Sequence, residues 1–534
     1  MITNMKFFLL RKLSKMGSSS GGKKKYVNFR SRQRASLSFF IVVMFFGVFG
    51  IIVFTEIFFI DDRSRASGVV VRPGSLSYSH KQEKSTDYEE VFNEVQLPPF
   101  PENATLNEGS WQNVNNTKYK FFVFSAYYDE RKGQRVVRII AATKTRGAER
   151  VFCRLWYKAG EFNASAHVSI TVPAKVKVVR ENWNLKYSAV FVMCPLTNKT
   201  IPVAVSVVAR IRDPPANLLA VINNHNETSG AVGVGSSGGG AGLSSPYKFG
   251  VCVKPLHFEY NRALQLIEFI ELNRLLGVDH FTFYNHTVGN QVDCVLRDYI
   301  DRGLVTVLPW NLDMISQKDI RTEGLFAALN DCLYRFMYKY THLLLIDLDE
   351  YILPKNNDTL GQMIDTLNKR VNGRTTASFS FQNAFFYLQW DDDDSVYEFD
   401  DPVTANLITM KKTRRKTKLH PQKQRSKYIC RPELTVEAGN HFIWEFIPGH
   451  GTMNVPPDTA ILHHYRICEF GGDDCIKTSS TVDRTAYKFK EGLTSGVKSV
   501  YDRLSRKCGL VELNLPTGKV LNKLMQFLKP SLER

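Results

Sequence analysis

Beyond residue 119 the chain breaks into short apolar stretches, β-branched or aromatic, separated by turn residues. They fall at 120–128, 136–142, 151–157, 168–172, 188–193 and 203–211. That spacing predicts a small antiparallel β-domain over 116–215. A Gly/Ser-rich stretch at 229–245 follows and marks 216–246 as a linker. No strand runs directly into it and no Lys-Ser/Thr closes it, so it does not read as a phosphate-binding loop. The period then changes. Strand-like runs at 247–253, 280–284, 304–308 and 342–347 alternate with helical spacing at 259–276, 292–301 and 325–340. Gly277 and Gly303 stand where two of these helices stop. Strands alternating with helices predict an α/β, Rossmann-like domain with a mainly parallel sheet, here over 247–534 with a C-terminal helical extension. Ligands on such sheets sit outside the carboxyl ends of the strands.

The N-terminal end has another pattern. The run from Leu37 to Thr55 is almost uncharged, and the apolar character extends to Ile60. At ~1.5 Å per residue it reaches about 28 Å, enough for one transmembrane helix over 37–60. The apolar run is longer than that of a cleaved signal peptide. Residues 61–115 are rich in Ser, Glu, Asn and Pro without apolar periodicity, and read as a stem.

Charge changes the picture mainly through its distribution. The chain has 534 residues, with 70 Lys and Arg against 52 Asp and Glu, a formal charge of +18. Ten of the basic residues and no acid lie in 1–36, a cytosolic tail by the positive-inside rule. The remainder carries only +8, so a nucleic-acid partner is not expected. The rest of the chain then faces the lumen, and the expected address is the Golgi membrane, single-pass type II. Seven Asn-x-Ser/Thr sequons, at Asn103, Asn115, Asn163, Asn198, Asn226, Asn285 and Asn357, all lie on that side. So do all nine cysteines. An oxidising lumen lets most of them pair, Cys153 and Cys194 in two strands of the β-domain among them, and the odd one is left free or joins a second chain. The composition, 43% hydrophobic and 23% charged, excludes full-length disorder.

The candidate chemistry lies at the end of the fourth strand of the α/β part. Asp347, Asp349 and Glu350 follow a continuous apolar run. Three carboxylates in four residues beside a core are costly unless a cation or polar ligand compensates. Oxygen ligands suit hard divalent ions such as Mn2+ or Mg2+, with diphosphate oxygens completing the shell. Alternation puts Asp347 and Asp349 on one side and Leu348 on the other. This is the chemistry of a nucleotide-sugar site. The alternative is that the acids cap the next turn or pair with arginine. The run 391–394 is four aspartates and contains the same Asp-x-Asp spacing twice; it reads as a solvated loop.

With these residues the chain resembles glycosyltransferase family 92. The resemblance rests on Val251-Cys-Val-Lys-Pro-Leu256, Phe281-Thr-Phe-Tyr-Asn-His286, Leu329-Asn-Asp-Cys-Leu-Tyr-Arg335, Ile346-Asp-Leu-Asp-Glu-Tyr-Ile352, Lys427-Tyr-Ile-Cys-Arg-Pro432 and His464-Tyr-Arg466, and covers about 119–466. It implies a GT-A fold, inverting transfer, a divalent metal and transfer of galactose from UDP-galactose to a glycan in β1,4 linkage, onto fucose of N-glycans or onto galactan. It implies Asp347 and Asp349 as the family's Asp-x-Asp and as metal residues, with Asp349 favoured as the direct ligand and Asp347 also favoured for the ribose or sugar. His464 is the implied histidine ligand, with His441 as second choice; a hydrogen-bonded core histidine is the alternative for both. Lys254 ends the first strand, where the nucleotide is held. Asn330 and Asp331 either face the donor or cap their helix. Arg466 either neutralises the diphosphate or pairs with a carboxylate.

Inverting transfer also needs a general base for the acceptor hydroxyl. Asp391, Glu437 and Glu445 are the candidates. The basic stretch from Lys411 to Lys418 reads as a solvated or substrate-closing loop, and an anionic acceptor would suit it. The competing reading of the whole chain is a glycan-binding membrane protein with a non-catalytic transferase fold.

Overall fold

The computed structural model describes residues 97–101, 106–158, 167–197, 199–225, 247–370, 373–469 and 472–515. The chain divides into two units, 1–89 and 90–534. The predicted basic tail and membrane helix, most of the stem, and the Gly/Ser-rich stretch lie outside the described residues. Among the described residues no helix is long and apolar enough to cross a membrane.

Nine strands form one sheet: β1 (Gln112–Asn113), β2 (Phe122–Asp129), β3 (Val136–Lys144), β4 (Phe152–Lys158), β5 (His167–Pro173), β6 (Lys175–Val178), β7 (Tyr187–Pro195), β8 (Ala204–Val208) and β9 (Leu219–Ile222). Their order is β5-β4-β8-β9-β2-β3-β7-β6, with β1 on β2. Every pairing is antiparallel except β2 with β9. The sheet curls, because Cys153 in β4 is bonded to Cys194 in β7 although four strands separate them along the sheet. Two expected boundaries move. The linker cannot begin at 216, since β9 joins β8 to β2 inside it; Leu218 and Leu219 are buried and carry the chain back into the core. The stem ends before 115, since β1 pairs with β2 and Val114 is buried.

The second sheet begins with β10 (Phe249–Cys252), α1 (Ala263–Leu275), β11 (Val278–Asn285), α2 (Asn290–Asp301), β12 (Val305–Pro309), α3 (Leu325–Arg335) and β13 (His342–Leu345). The third helix stops at Arg335, five residues short of the expected 340, and the chain turns through Tyr338 at φ 69°. Then follow β14 (Glu350–Pro354), α4 (Leu360–Arg370), β15 (Thr376–Phe381), β16 (Asn383–Tyr387), β17 (Arg414–Lys416), β18 (Lys427–Cys430), β19 (Thr435–Ala438), β20 (Ile443–Phe446), β21 (Gly451–Asn454), β22 (Ala460–Arg466), β23 (Ser480–Val482) and α5 (Lys490–Cys508). Seven strands form the central sheet in the order β12-β11-β10-β13-β18-β15-β21. The first four are parallel, and β18 runs against both its neighbours. The sheet is therefore mixed, with its strand order reversing at β10 and β13, the place beyond whose strand ends ligands bind in open α/β sheets. A smaller sheet, β14-β22-β16, stands beside it.

Helices α1, α2 and α5 cover one face, and Cys294–Cys508 ties α2 to the end of α5. On the other face lies α3, joined to β10 by Cys252–Cys332. The nine-stranded sheet packs there too: Phe124, Tyr127, Ile140 and Phe191 share one apolar cluster with Trp310, Leu329 and Leu345. Cys468–Cys475 is the fourth disulfide, and the odd cysteine, Cys430, is a buried free thiol.

Candidate active site

Parallel pairing of β10 with β13 matches Cys252 to Leu345, so two residues later Lys254 stands level with Asp347. The ammonium of Lys254 lies 2.9 Å from Asp347 Oδ2. Antiparallel pairing of β18 matches Tyr428 to Leu345 and brings Lys427 to the same rim from the other side. Lys427 is buried, 3.4 Å from Asp347 and 3.5 Å from Glu350, and donates to Asn440 Oδ1 at 2.9 Å. Between the strands the chain turns tightly. The Asp347 N–H donates to Glu350 Oε2 at 2.9 Å, and the Glu350 N–H returns a bond to the Asp347 carbonyl at 3.0 Å.

That turn starts β14, which pairs with β22 so that Glu350 faces His464. The imidazole then has Asp349 Oδ2 3.4 Å from Nε2, with Glu350 Oε1 at 3.3 Å and Asn383 Nδ2 at 3.0 Å from Nδ1. Burial would raise the pKa of Asp347, but Lys254 and Lys427 hold it well below the carboxylate range. Burial likewise opposes ionisation of Asp349, and His464 outweighs it, so Asp349 also stays ionised. Glu350 is pushed up, burial being the largest cause. Burial alone would lower His464; Asp349 and Glu350 raise it instead. The acids thus have their compensating cations in the chain itself, two lysines and a histidine rather than an arginine.

The side chain of Asp349 is 34% exposed, against 13% for Asp347 and 1% for Glu350. Asp349 is the carboxylate open to a ligand. Among the described residues no group of three or more His, Cys, Asp or Glu side chains is arranged to hold a metal ion by itself. Asp349 and His464 together offer two ligands, which fits an ion that keeps waters and takes its remaining oxygens from a diphosphate. Asp347 lies beside them, paired with Lys254 and Lys427.

Residues 247–509 match glycosyltransferase family 92. This part of the chain belongs to that family. The chain is 24% identical over 225 residues to a beta-1,4-galactosyltransferase of Caenorhabditis elegans, covering 41% of this chain and 48% of that one. It is 36% identical over 87 residues to a galactan beta-1,4-galactosyltransferase of Arabidopsis thaliana, covering 16% of this chain and 17% of that one. The chain therefore spans about half or less of the curated relatives it matches. Among solved structures, glucosyl-3-phosphoglycerate synthase from Mycobacterium tuberculosis aligns at 12% identity with a TM-score of 0.21, over 50% of this chain and 82% of that one. The nine-stranded sheet precedes the match, so the family 92 region is narrower than the resemblance over 119–466.

Within the family 92 region the other expected site residues separate. Arg466 stays near: its guanidinium lies 5.0 Å from the Phe385 ring, whose centroid is 5.2 Å from that of His464 in a T-shaped contact, and it pairs with Glu469 at 2.6 Å. His441 bonds Asn440 and the Ser426 carbonyl, and burial pushes it down to about 4. Asn330 and Asp331 are not at the donor crevice. Asn330 clamps α3 to β19, bonding the Ala438 N–H at 2.9 Å and the Ala438 carbonyl at 3.0 Å. Asp331 is fully buried against the nine-stranded sheet, accepting from Ser125, Tyr127 and Tyr284 and pairing with Arg335. Alternation along a buried helix put these polar residues on its inner faces, and the partners there are another sheet.

Glu437 and Glu445 are paired across the β19–β20 hairpin and belong to the same contact. Lys177 lies 2.9 Å from Glu437 and 2.7 Å from Glu445, while Lys132 and Arg180 also hold Glu445. Burial would raise Glu445, yet its lysines bring it down to about 2, too weak a base for a hydroxyl. In the aspartate run, Asp392 pairs with Lys412 and Asp393 with Arg484, while Asp391 is exposed and makes no ion pair among the described residues. Lys427 and Asn383 were not expected at the site. The available signal for Lys427 was a lysine opening the apolar strand Tyr428-Ile-Cys430.

Proposed function

We propose that the chain is an inverting glycosyltransferase of GT-A type that moves galactose from UDP-galactose to a glycan hydroxyl in β1,4 linkage. The observation that carries this reading is the cluster at the end of β13: an open carboxylate, Asp349, beside His464, with Lys254 and Lys427 holding Asp347 and Glu350. The family match and the names of the two galactosyltransferase relatives favour the donor and the linkage. Asp349 and His464 would hold Mn2+ or Mg2+, which offsets charge on the departing diphosphate. Lys254, paired with Asp347, and Arg466, paired with Glu469, would present positive charge to phosphates. Asp347, ionised and fixed by two lysines, is preorganised to accept hydrogen bonds from ribose or sugar hydroxyls. Asp391 is the remaining candidate for the base that takes the acceptor proton as the hydroxyl attacks opposite the diphosphate. The acceptor is a glycan, a galactose end of galactan being one by the plant relative's name. The enzyme would work from the Golgi membrane on a single N-terminal helix, with no nucleic-acid partner.

The test is a panel of sugar nucleotides with the full chain, with and without Mn2+, reading UDP release in the presence of glycan acceptors. UDP-galactose should exceed UDP-glucose by about ten- to a hundredfold, the effect of one unpaired buried hydrogen-bonding group. Asp349→Ala should abolish transfer while the protein stays folded, since its side chain is the exposed one. Full turnover in that variant or in chelator removes the metal site, an α-linked product removes the inverting mechanism, and no UDP release from any donor favours the glycan-binding alternative.

A further inference from the structure

Strands β18, β15 and β21 are the last three of the central sheet, and on one face they are apolar: Phe379, Phe381 and Ile429 enter the main core. The opposite face is polar. Ser378 pairs in register with Thr452, and Ser380 with both Asn454 and Tyr428. These five side chains line a cavity of about 300 Å3, closed from the hairpin side by Phe442, Ile443 and Phe446 and by Lys423. One of the polar groups is not used up by the fold. Ser380 donates to Gln422 and Tyr428 to the Gly439 carbonyl, but the Ser378 hydroxyl is buried with no hydrogen-bond partner among the described residues. A buried hydroxyl without a partner is costly, and it points to a ligand that supplies one.

Two of the segments that line the cavity also lead to the acidic cluster. Tyr428 follows Lys427, which reaches Asp347, and Phe442 lies two residues past Asn440, which accepts from Lys427. Its lining joins hydroxyl and amide groups to aromatic faces. That combination suits one ring whose hydroxyls need hydrogen bonds and whose CH faces need apolar contact, in a volume at the lower end for small-ligand sites. We propose that this cavity is the subsite for a sugar ring of the acceptor glycan, an inference that rests on the transferase reading above. Ser378, Asn454 and Phe442 are its specificity-determining residues.

The experiment uses the full chain and two probes: methyl β-galactoside, followed by saturation-transfer NMR, and UDP with Mn2+, followed by calorimetry. The sugar should bind, and Phe442→Ala and Asn454→Ala should each weaken it about tenfold. Ser378→Ala should weaken it about three- to tenfold, the worth of one hydrogen bond, while the melting temperature holds or rises, because the lost hydroxyl pairs with nothing in the free protein. UDP affinity should be unchanged in all three. No sugar binding, or binding that all three variants leave intact, overturns the inference. Parallel loss of UDP affinity in Ser378→Ala and Asn454→Ala at unchanged melting temperature also overturns it, by placing the cavity in the donor site. Sugar binding in a protein that does not bind UDP removes the acceptor role together with the transferase reading.

Discussion

Replacing Asp331 by asparagine should destabilise the protein by about 3–5 kcal/mol without changing its affinity for UDP. The carboxylate is wholly buried and accepts from Ser125 Oγ and Tyr127 OH at 2.5 Å, from Tyr284 OH at 2.8 Å and from the Arg335 guanidinium at 3.0 Å. Asparagine keeps the shape but loses the charge, and turns an amide donor toward groups that are themselves donors. Breaking a buried ion pair on one side costs ~3–5 kcal/mol, because the abandoned guanidinium stays buried. Single bonds to a charged group are worth ~1.5–3 kcal/mol each, so the hydroxyls alone reach the same order, and the terms do not add. Against a total of ~5–15 kcal/mol this is a large share. With a urea slope of ~3 kcal/mol/M, the unfolding midpoint should fall by about 1–1.7 M. Removing both partners, as in Asp331→Asn with Arg335→Met, should cost less than the separate losses together, since no uncompensated cation remains. Urea titration by tryptophan fluorescence with disulfides intact reads the first quantity, and UDP calorimetry on the folded protein the second. An unchanged midpoint together with a tenfold loss of UDP affinity would refute the argument and return Asp331 to the donor site.

Two further outcomes follow from the same structure. Burial, reinforced by Arg431, pushes His342 down to about 3, so its neutral form is the folded one. The unfolded state, at ~6.5, binds the proton first, so this contribution is complete above pH ~6.5 and shrinks by about 1.4 kcal/mol per unit as pH falls toward 3. Urea midpoints at pH 7 and 5 should show that loss, about 2 kcal/mol, and His342→Gln should flatten it; an equal slope in the variant contradicts the assignment. Among sequons, Asn115 is exposed, whereas Asn285 ends a central strand with its side-chain oxygen buried. Glycopeptide mass spectrometry of the protein from a secretory host should find glycan on Asn115 and none on Asn285; the reverse would contradict the strand-end placement.

Much of the α/β part was legible because its signals are local. Alternating strand and helix periods at 247–347 became β10 to β13 with α1 to α3 between them, since periodicity directly reports which face is buried. The same locality located Asp347 and Asp349, as acids directly after an apolar strand have few places to go. Lys254 was placed by the strand it ends, and register then brought it to Asp347. The cysteine pair in the first sheet was legible from its two members lying in separate predicted strands.

Tertiary structure decided which charge meets which. Asp331 takes hydrogen bonds from Ser125 and Tyr127, 206 and 204 residues earlier, and Glu437 meets Lys177 across two sheets. A buried carboxylate reads alike in sequence whether it serves a nucleotide or an interface; only the identity of its cation separates the two, and that depends on packing of segments far apart in the chain. Lys427 illustrates the converse, a residue of the site that became visible only when β18 was inserted beside β13. Local periodicity determined the elements and the acids at their ends. Docking of the nine-stranded sheet and the return of β22 beside β14 decided which acids were already neutralised and left Asp349, next to His464, as the open one.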